Sequence, residues 1–448
     1  MPERVQGRAG PPGRGVEWSV AREILTVNPV RTVAGALRVP GDKSISHRLV
    51  MIGAIARGRT AMTSLAPGAD VEATCACLRA LGVPVDRTGT DVTIDGRGWT
   101  GLSQPAAPLD AANSGTSMRL LAGLVAGRPF RTVIIGDASL SRRPMRRVLD
   151  PLGAMGAGVQ AVDGHAPISI DGGALRAVDW HTPVASAQVK SAIMLAALAA
   201  TGTTSVTEPL QTRDHTERAF PTFGLVCRGA DGTVVVPGGQ EAAAPALPLR
   251  VPGDPSSAAV WAAAAAALAG GQVQLDDVCL NPRRLGFLRV LERMGARVEI
   301  EQTTVSGGEP VGRLRVAHGG HGHAVVTPDI VPDLVDELPV LAARAALGGS
   351  LEVSGAAELR VKESDRIAAL VAGLRALGVR ADERPDGFTV EGTGRPSGGA
   401  AGAAGDHRLV MAFAVVGLGA ARPVVIEDAD AIGVSYPDFA RDLAILSA

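Results

Sequence analysis

The sequence predicts an α/β fold of six repeated units arranged in two halves. Three observations carry this: polar helix starts recurring at near-constant spacing, a second helix and a strand-like run inside each unit, and a hexapeptide pattern that occurs twice. The length agrees, because 448 residues exceed what one hydrophobic core usually organises, and two domains are expected.

The helix starts come first. Segments opening at Ser44, Ser114, Ser186, Ser256, Asp336 and Asp406 each set Ser or Asp before an Ala/Leu/Ile-rich stretch, as an N-cap does. They recur about every 70 residues, with one interval nearer 80, a period that marks repeated supersecondary units. Most of these stretches close at a glycine: Gly58, Gly127, Gly202, Gly270 and Gly348. A second helix follows within each unit, as in Leu78-Arg79-Ala80-Leu81-Gly82 and Leu374-Arg375-Ala376-Leu377-Gly378, where the Gly stands just past the helix end. Apolar alternation such as Val298-Glu299-Ile300 then predicts a strand.

The pattern Val39-Pro40-Gly41-Asp42-Lys43-Ser44 returns as Val251-Pro252-Gly253-Asp254-Pro255-Ser256, which puts three units in each half. The expected domains are residues 41–249 and residues 1–40 plus 250–448, hinged near Pro40 and Pro252, with the active site in the cleft between them. The Gly-rich stretches 305–323 and 392–405 predict surface loops. His321 and His323 are expected to be solvated there, since no Cys or carboxylate stands at metal-ligand spacing.

Composition excludes several function classes. With 44 Lys+Arg against 45 Asp+Glu there is no bulk field to attract nucleic acid or an anionic membrane, and neither partner is expected. Cys75, Cys77, Cys227 and Cys279 are too few and scattered for a disulfide framework and fit a reducing cytoplasm. The Ala-rich run 261–268 is too short to span a bilayer. Residues 1–15, rich in Arg, Gly and Pro, have no apolar stretch of the signal-peptide kind; a disordered extension or a misassigned start is expected.

Anion chemistry is concentrated at the helix starts. In Gly41-Asp42-Lys43-Ser44-Ile45-Ser46-His47-Arg48 a Lys and a Ser stand where free N–H groups and the helix dipole favour an anion, and Arg48 falls four residues after Ser44. This is not a nucleotide phosphate loop, because Asp42 stands where that motif needs Gly. An ordinary cap with a solvated Lys and Arg accounts for this octapeptide equally well, but the device recurs. Asn113-Ser114-Gly115-Thr116-Ser117-Met118-Arg119 has a small residue that admits a ligand to backbone N–H groups, and Ser186-Ala187-Gln188-Val189-Lys190 opens the third helix. Arginines add countercharge in Arg142-Arg143, in Arg213-Asp214-His215-Thr216-Glu217, in Arg360-Val361-Lys362-Glu363-Ser364-Asp365-Arg366 and in Asp406-His407-Arg408. Asp336, which also suits an N-cap, and Glu363 supply carboxylates for general acid–base work in a cationic cleft.

These stretches, spread from residue 41 to about 439, resemble the 5-enolpyruvylshikimate-3-phosphate synthase family, and most closely its branch that includes glyphosate-tolerant bacterial members. The resemblance implies two inside-out α/β domains, each of three βαβαββ units. It also implies transfer of the enolpyruvyl group of phosphoenolpyruvate to the 5-hydroxyl of shikimate 3-phosphate, with no metal or organic cofactor, in a cytoplasmic protein expected to act as a monomer. Carried over residue by residue, Lys43, Ser44, Arg48, Ser186, Ala187, Gln188, Arg213, Asp336 and Lys362 would hold shikimate 3-phosphate. Lys43, Asn113, Gly115, Arg143, Gln188, Arg366 and Arg408 would hold phosphoenolpyruvate, and Lys43, Asp336 and Glu363 would be catalytic.

Three stretches depart from the family pattern: Asn281-Pro282-Arg283-Arg284, Glu358 in place of an Asn, and Gly433-Val434-Ser435-Tyr436-Pro437, which lacks a Lys. Glu358 leaves room for a modified hydroxyl acceptor. The fold-sharing transferase that acts on UDP-N-acetylglucosamine usually carries a loop Cys, whereas Cys75 and Cys77 fall in a helical stretch here. A non-catalytic anion-binding homologue would be signalled by loss of Lys43, Asp336 or Glu363, and all three are present.

Overall fold

The computed structural model describes residues 16–19 and 24–447, so the extension expected at residues 1–15 lies outside the described residues. Twelve α-helices occur among them: α1 (Lys43–Ile55), α2 (Ala69–Ala80), α3 (Gly115–Ala126), α4 (Arg146–Ala154), α5 (Ala187–Ala197), α6 (His215–Ala219), α7 (Pro255–Ala267), α8 (Gly286–Arg293), α9 (Leu338–Ala346), α10 (Arg366–Ala376), α11 (His407–Gly419) and α12 (Phe439–Leu446).

Each of the six units combines two of these helices with a small mixed sheet. In the second unit, for example, Leu109–Asp110 runs parallel to Arg131–Ile135, which pairs antiparallel with His165–Asp171 and through it with Gly158–Val162. The pattern of one parallel pair extended by an antiparallel hairpin recurs around His323–Val326 and Ser350–Val353, and around Asp179–His181 and Thr203–Thr207. Three units are closed by distant chain, one of them by Ala34–Leu37 running parallel to Gln272–Cys279. Val16–Ser19 and Ile24–Val27 complete the sheet of Gly399–Gly402 and Val424–Glu427, and Leu249–Arg250 pairs with Ala56–Thr63.

The units are assembled with helices inside and sheets outside. α3 packs on α1 and α5, and α7, α9 and α11 pack on one another. A helix surrounded by protein must be apolar or small all round. α7 meets this requirement with the sequence PSSAAVWAAAAAA, every residue of which is buried. Two hydrophobic cores result. One draws on Leu25 to Val39 and on Ala258 to Leu446, the other on Ile45 to Val251 together with Cys279.

Several sequence expectations need correction. The first cap is Asp42, whose Oδ1 accepts the Ile45 N–H at 2.8 Å, and the fourth is Asp254, with Pro255 at the first helical position. Ser44 and Ser256 lie inside their helices. In both cases the Asp two residues upstream already satisfies a free N–H. Asp336 caps nothing: α9 begins at Leu338, and the Asp336 side chain is turned towards arginines. The stretch 305–323 is not a loop throughout, because Ala296–Ser306 and Glu309–His318 form a long hairpin about the turn at Gly307 and Gly308, both at positive φ. The stretch 392–405 contains the strand Gly399–Gly402.

Candidate active site

The helix starts of both halves open onto one cavity of about 420 Å³. Its lining includes Lys43, Ser44, Gly115, Arg143, Ser186, Ala187, Gln188 and Arg213 from the first half, and Asp336, Lys362, Glu363, Arg366 and Arg408 from the second. Nine Lys or Arg side chains and five Asp or Glu side chains line it, an excess of four positive charges in a protein whose net charge is −1.

Local structure explains how each group arrives there. Asp42 caps α1 and so presents Lys43 in its first turn, where the ammonium meets Asp70 Oδ2 at 2.8 Å. Ser114 caps α3 through the Ser117 N–H, placing Gly115 at its start. Arg143 donates to Asn113 Oδ1 at 2.6 Å, and Gln188 is gripped between Arg119, which donates to it at 2.7 Å, and Thr116, to which it donates at 2.9 Å. Asp365 caps α10 and Asp406 caps α11, so Arg366 and Arg408 stand in first turns. Arg366 is 1% exposed and is fixed by Asp406 at 2.6 Å.

Asp336 is the most heavily paired carboxylate of the site. Arg213 Nη2 lies 2.7 Å from it, Arg366 Nη1 3.3 Å, and Lys362 Nζ and Arg408 Nη2 3.8 Å each. Burial alone would raise its pKa, but Arg408, Lys362, Arg213 and Arg366 together drive it well below the usual carboxylate range. Glu363 follows the same rule: burial opposes ionisation, and Arg366, Arg143 and Lys43 overcome it. It pairs with Arg366 and lies 3.7 Å from Arg143 Nη1. Burial depresses Lys362, with Asp336 opposing and Arg366 adding to the effect, and burial with Arg143 brings Arg119 down to about 10.

Two expected residues do not line the cavity. Arg48, four residues along α1 from Ser44, turns back into the first half, where it donates to the Ser44 carbonyl, Ser191 Oγ and Thr216 Oγ1. It is 3% exposed, and burial lowers its pKa to about 10. Asn113 stands behind Arg143 and donates to Asp137 Oδ2 at 2.6 Å. Lys190, at the third helix start, is buried between Glu208 and Glu217 at 2.8 Å from each.

Sequence reasoning missed Asp70, Arg147 and Arg284 as lining residues. Asp70 comes from α2, 27 residues beyond Lys43, and nothing in local spacing joins the two. Arg119 was legible as the i+4 partner of Gly115, towards whose carbonyl its guanidinium reaches back.

A six-unit α/β protein with a cationic cavity and two ionised carboxylates in it is an enzyme for small polyanionic substrates. A family model described as EPSP synthase (3-phosphoshikimate 1-carboxyvinyltransferase) matches residues 27–443, and the chain belongs to that family. The 3-phosphoshikimate 1-carboxyvinyltransferase of Lactiplantibacillus plantarum is 46% identical over 426 residues, covering 94% of this chain and 98% of the relative. That of Limosilactobacillus fermentum is 47% identical over 438 residues, covering 95% and 99%. A solved EPSP synthase structure from Acinetobacter baumannii superposes with a TM-score of 0.84 at 39% identity, covering 95% of this chain and 98% of that one.

Proposed function

We propose that this enzyme transfers the enolpyruvyl group of phosphoenolpyruvate to the 5-hydroxyl of shikimate 3-phosphate and releases phosphate. The observation that carries the reading is the pair of carboxylates, Asp336 and Glu363, held among nine cationic side chains in one cavity. Each substrate carries a phosphate and a carboxylate, and the four surplus positive charges offset most of that load.

Phosphoenolpyruvate lies against Lys43, Gly115, Arg143, Gln188, Arg366 and Arg408, with Asn113 steadying Arg143 from behind. Shikimate 3-phosphate lies against Ser44, Ser186, Ala187, Gln188, Arg213 and Lys362. Arg48, whose guanidinium holds the Ser44 carbonyl, belongs to the same side as a support of the shikimate 3-phosphate contacts.

The reaction is an addition followed by an elimination. Glu363 protonates the methylene carbon of phosphoenolpyruvate, its central carbon becomes electron-poor, and the 5-oxygen bonds to it while its proton passes to Asp336. In the second step the new methyl group returns a proton to Glu363, the bond to the phosphate oxygen breaks, and the departing phosphate carries off the proton that Asp336 received. Lys43 and Arg143 stabilise the charge that grows on the departing phosphate. Their cationic neighbours hold both carboxyls ionised, which suits Asp336 as a base but not Glu363 as an acid. Substrate anions take up the positive charge of Arg143, Arg213, Arg366 and Arg408, and the proton affinity of both carboxyls rises towards what the chemistry needs.

The two halves, residues 41–249 and residues 1–40 with 250–448, act as the bodies that enclose the substrates, which the two separate cores support. Among the described residues no helix is long and apolar enough to cross a membrane. The free thiols of Cys75, Cys77, Cys227 and Cys279 suit a cytoplasmic enzyme, acting as a monomer.

Phosphate release from phosphoenolpyruvate, measured with and without shikimate 3-phosphate, tests the reading. Release that depends on shikimate 3-phosphate, with a product heavier by one enolpyruvyl group, is expected. Release that ignores it, or its absence in both conditions, would refute the assignment.

A further inference from the structure

The chain crosses between its halves twice, and the two crossings lie side by side. The Asp42 N–H donates to the Pro252 carbonyl at 2.7 Å, and the Asp254 N–H donates to the Pro40 carbonyl at 2.8 Å. Each crossing ends in an aspartate that caps a buried helix, Asp42 on α1 and Asp254 on α7. The duplicated hexapeptide is therefore a pair of matched caps.

Arg284 sits between these caps. It is 1% exposed, and its Nη1 donates to Asp42 Oδ2 at 2.7 Å while Nη2 donates to Asp254 Oδ1 and Ser256 Oγ, both at 3.0 Å. The second oxygen of Asp254 accepts the backbone N–H of Lys43 at 3.2 Å. One planar guanidinium thus fixes the spacing of the two caps and, through Asp254, the backbone that carries the Lys43 ammonium.

The fork is itself held from behind. Arg284 Nη1 lies 3.3 Å from His215 Nε2, and since a guanidinium N–H only donates, that nitrogen is the acceptor. The imidazole proton then resides on Nδ1 and is donated to Glu309 Oε1 at 2.6 Å. Glu309 also accepts from Asn281, which opens the short turn leading to Arg284, and Asn281 donates to Asp214 as well. The tip of the long hairpin, α6 and the Arg284 turn are tied into one buried network.

We propose that Arg284 is a positioning residue, which by binding the Asp42 and Asp254 caps together sets where Lys43 stands in the cavity. The inference rests on the proposed reaction. A lysine at 284 is a point charge on a flexible stem and cannot hold both carboxylates in the geometry of a fork. A fully buried charge also carries a desolvation penalty, so shape-filling apolar residues would serve stability as well. What the fork adds is a fixed relation between two caps and the residue that follows the first.

The test is a double-mutant cycle on turnover. Arg284→Lys and Asp254→Asn are each made alone and with Lys43→Met, and every protein is melted to verify folding. The expected result is that Arg284→Lys lowers kcat by about 100-fold, the scale of a misplacement near 1 Å. In the Lys43→Met background the same change should cost no more than about twofold, because a residue acting through Lys43 has nothing left to position. Equal losses in both backgrounds, or wild-type kcat in Arg284→Lys, would overturn the inference. Should Arg284→Lys melt below the assay temperature, the Asp254→Asn cycle, which keeps the guanidinium, decides by the same criterion. An inactive wild type would overturn the proposed function together with this inference, whereas additive losses on an active wild type overturn this inference alone.

Discussion

Asp336 shows how much one side chain here depends on its neighbours. Four cations within 4 Å hold it ionised, and in the proposed reaction it takes the proton of the 5-hydroxyl. Asp336→Asn keeps the shape and cannot accept that proton, so turnover is expected to fall about 100-fold or more. The affinity for shikimate 3-phosphate, read by calorimetry, should change far less, and near-normal turnover would remove Asp336 from the mechanism. Gly115 gives a second expectation at this scale. A Cβ there would lie 2.7 Å from Arg119 Nη1 and 3.3 Å from Arg143 Nη1, so a methyl group forces flexible guanidinium ends aside and narrows the pocket. Glyphosate competes with phosphoenolpyruvate in the family that this chain resembles, and with Gly at 115 the wild type is expected to be inhibited. Gly115→Ala should raise the inhibition constant more than the KM for phosphoenolpyruvate, within roughly 10–200-fold for a single methyl. Inhibition kinetics with phosphoenolpyruvate varied would check this, and an insensitive wild type would place the determinant elsewhere.

Among the elements, the central helices α1 and α11 each carry a buried imidazole close to cations. Burial, then Lys43 and Arg48, keep the pKa of His47 well below the usual 6.5, and burial with Lys43 and Arg408 does the same to His407. A depressed imidazole pKa means that the unfolded chain binds protons which the folded one refuses. Stability contributed by the neutral form is therefore fully present above about pH 6.5 and falls as pH drops below it, at up to about 1.4 kcal/mol per pH unit for each imidazole. Denaturant titrations between pH 7.5 and about 5 should show this slope, and His47→Gln should flatten it. An unchanged slope in the variant would mean that His47 titrates alike in both states. α7 makes a packing prediction. Its alanines let neighbouring helices approach closely, so Ala264→Leu should overpack the core and cost about 1–3 kcal/mol in denaturant unfolding.

At the scale of the molecule, the halves meet through charge across the cavity. Arg213 pairs with Asp336, Arg147 with Glu358, and Arg143 approaches Glu363, while Ser139 Oγ donates to the Glu363 carbonyl at 3.0 Å. In the proposed arrangement of two bodies, closure would bring Lys43 and Arg143 towards Arg366 and Arg408, and anionic substrates would offset that repulsion. Shikimate 3-phosphate is therefore expected to compact the enzyme in small-angle scattering. A radius of gyration that ignores it would count against two moving bodies.

The six-unit α/β plan was legible from the chain alone, because a repeat of about 70 residues and small or apolar helix faces are local and periodic. It also marked most cavity residues, since Lys43, Gly115, Gln188, Arg366 and Arg408 all stand at or near helix starts whose free N–H groups already suit anions. Long-range packing settled which of two neighbouring polar residues caps a helix, that Arg48 turns inward, and that residues 305–323 belong largely to a hairpin. The partners Asp70 of Lys43 and Arg284 of Asp42 and Asp254 were likewise invisible, lying 27 to 242 residues away. A capping residue reports its partner within one helical turn. A buried charge is satisfied by whichever group the packing of distant units delivers, and no local pattern in the chain encodes that choice.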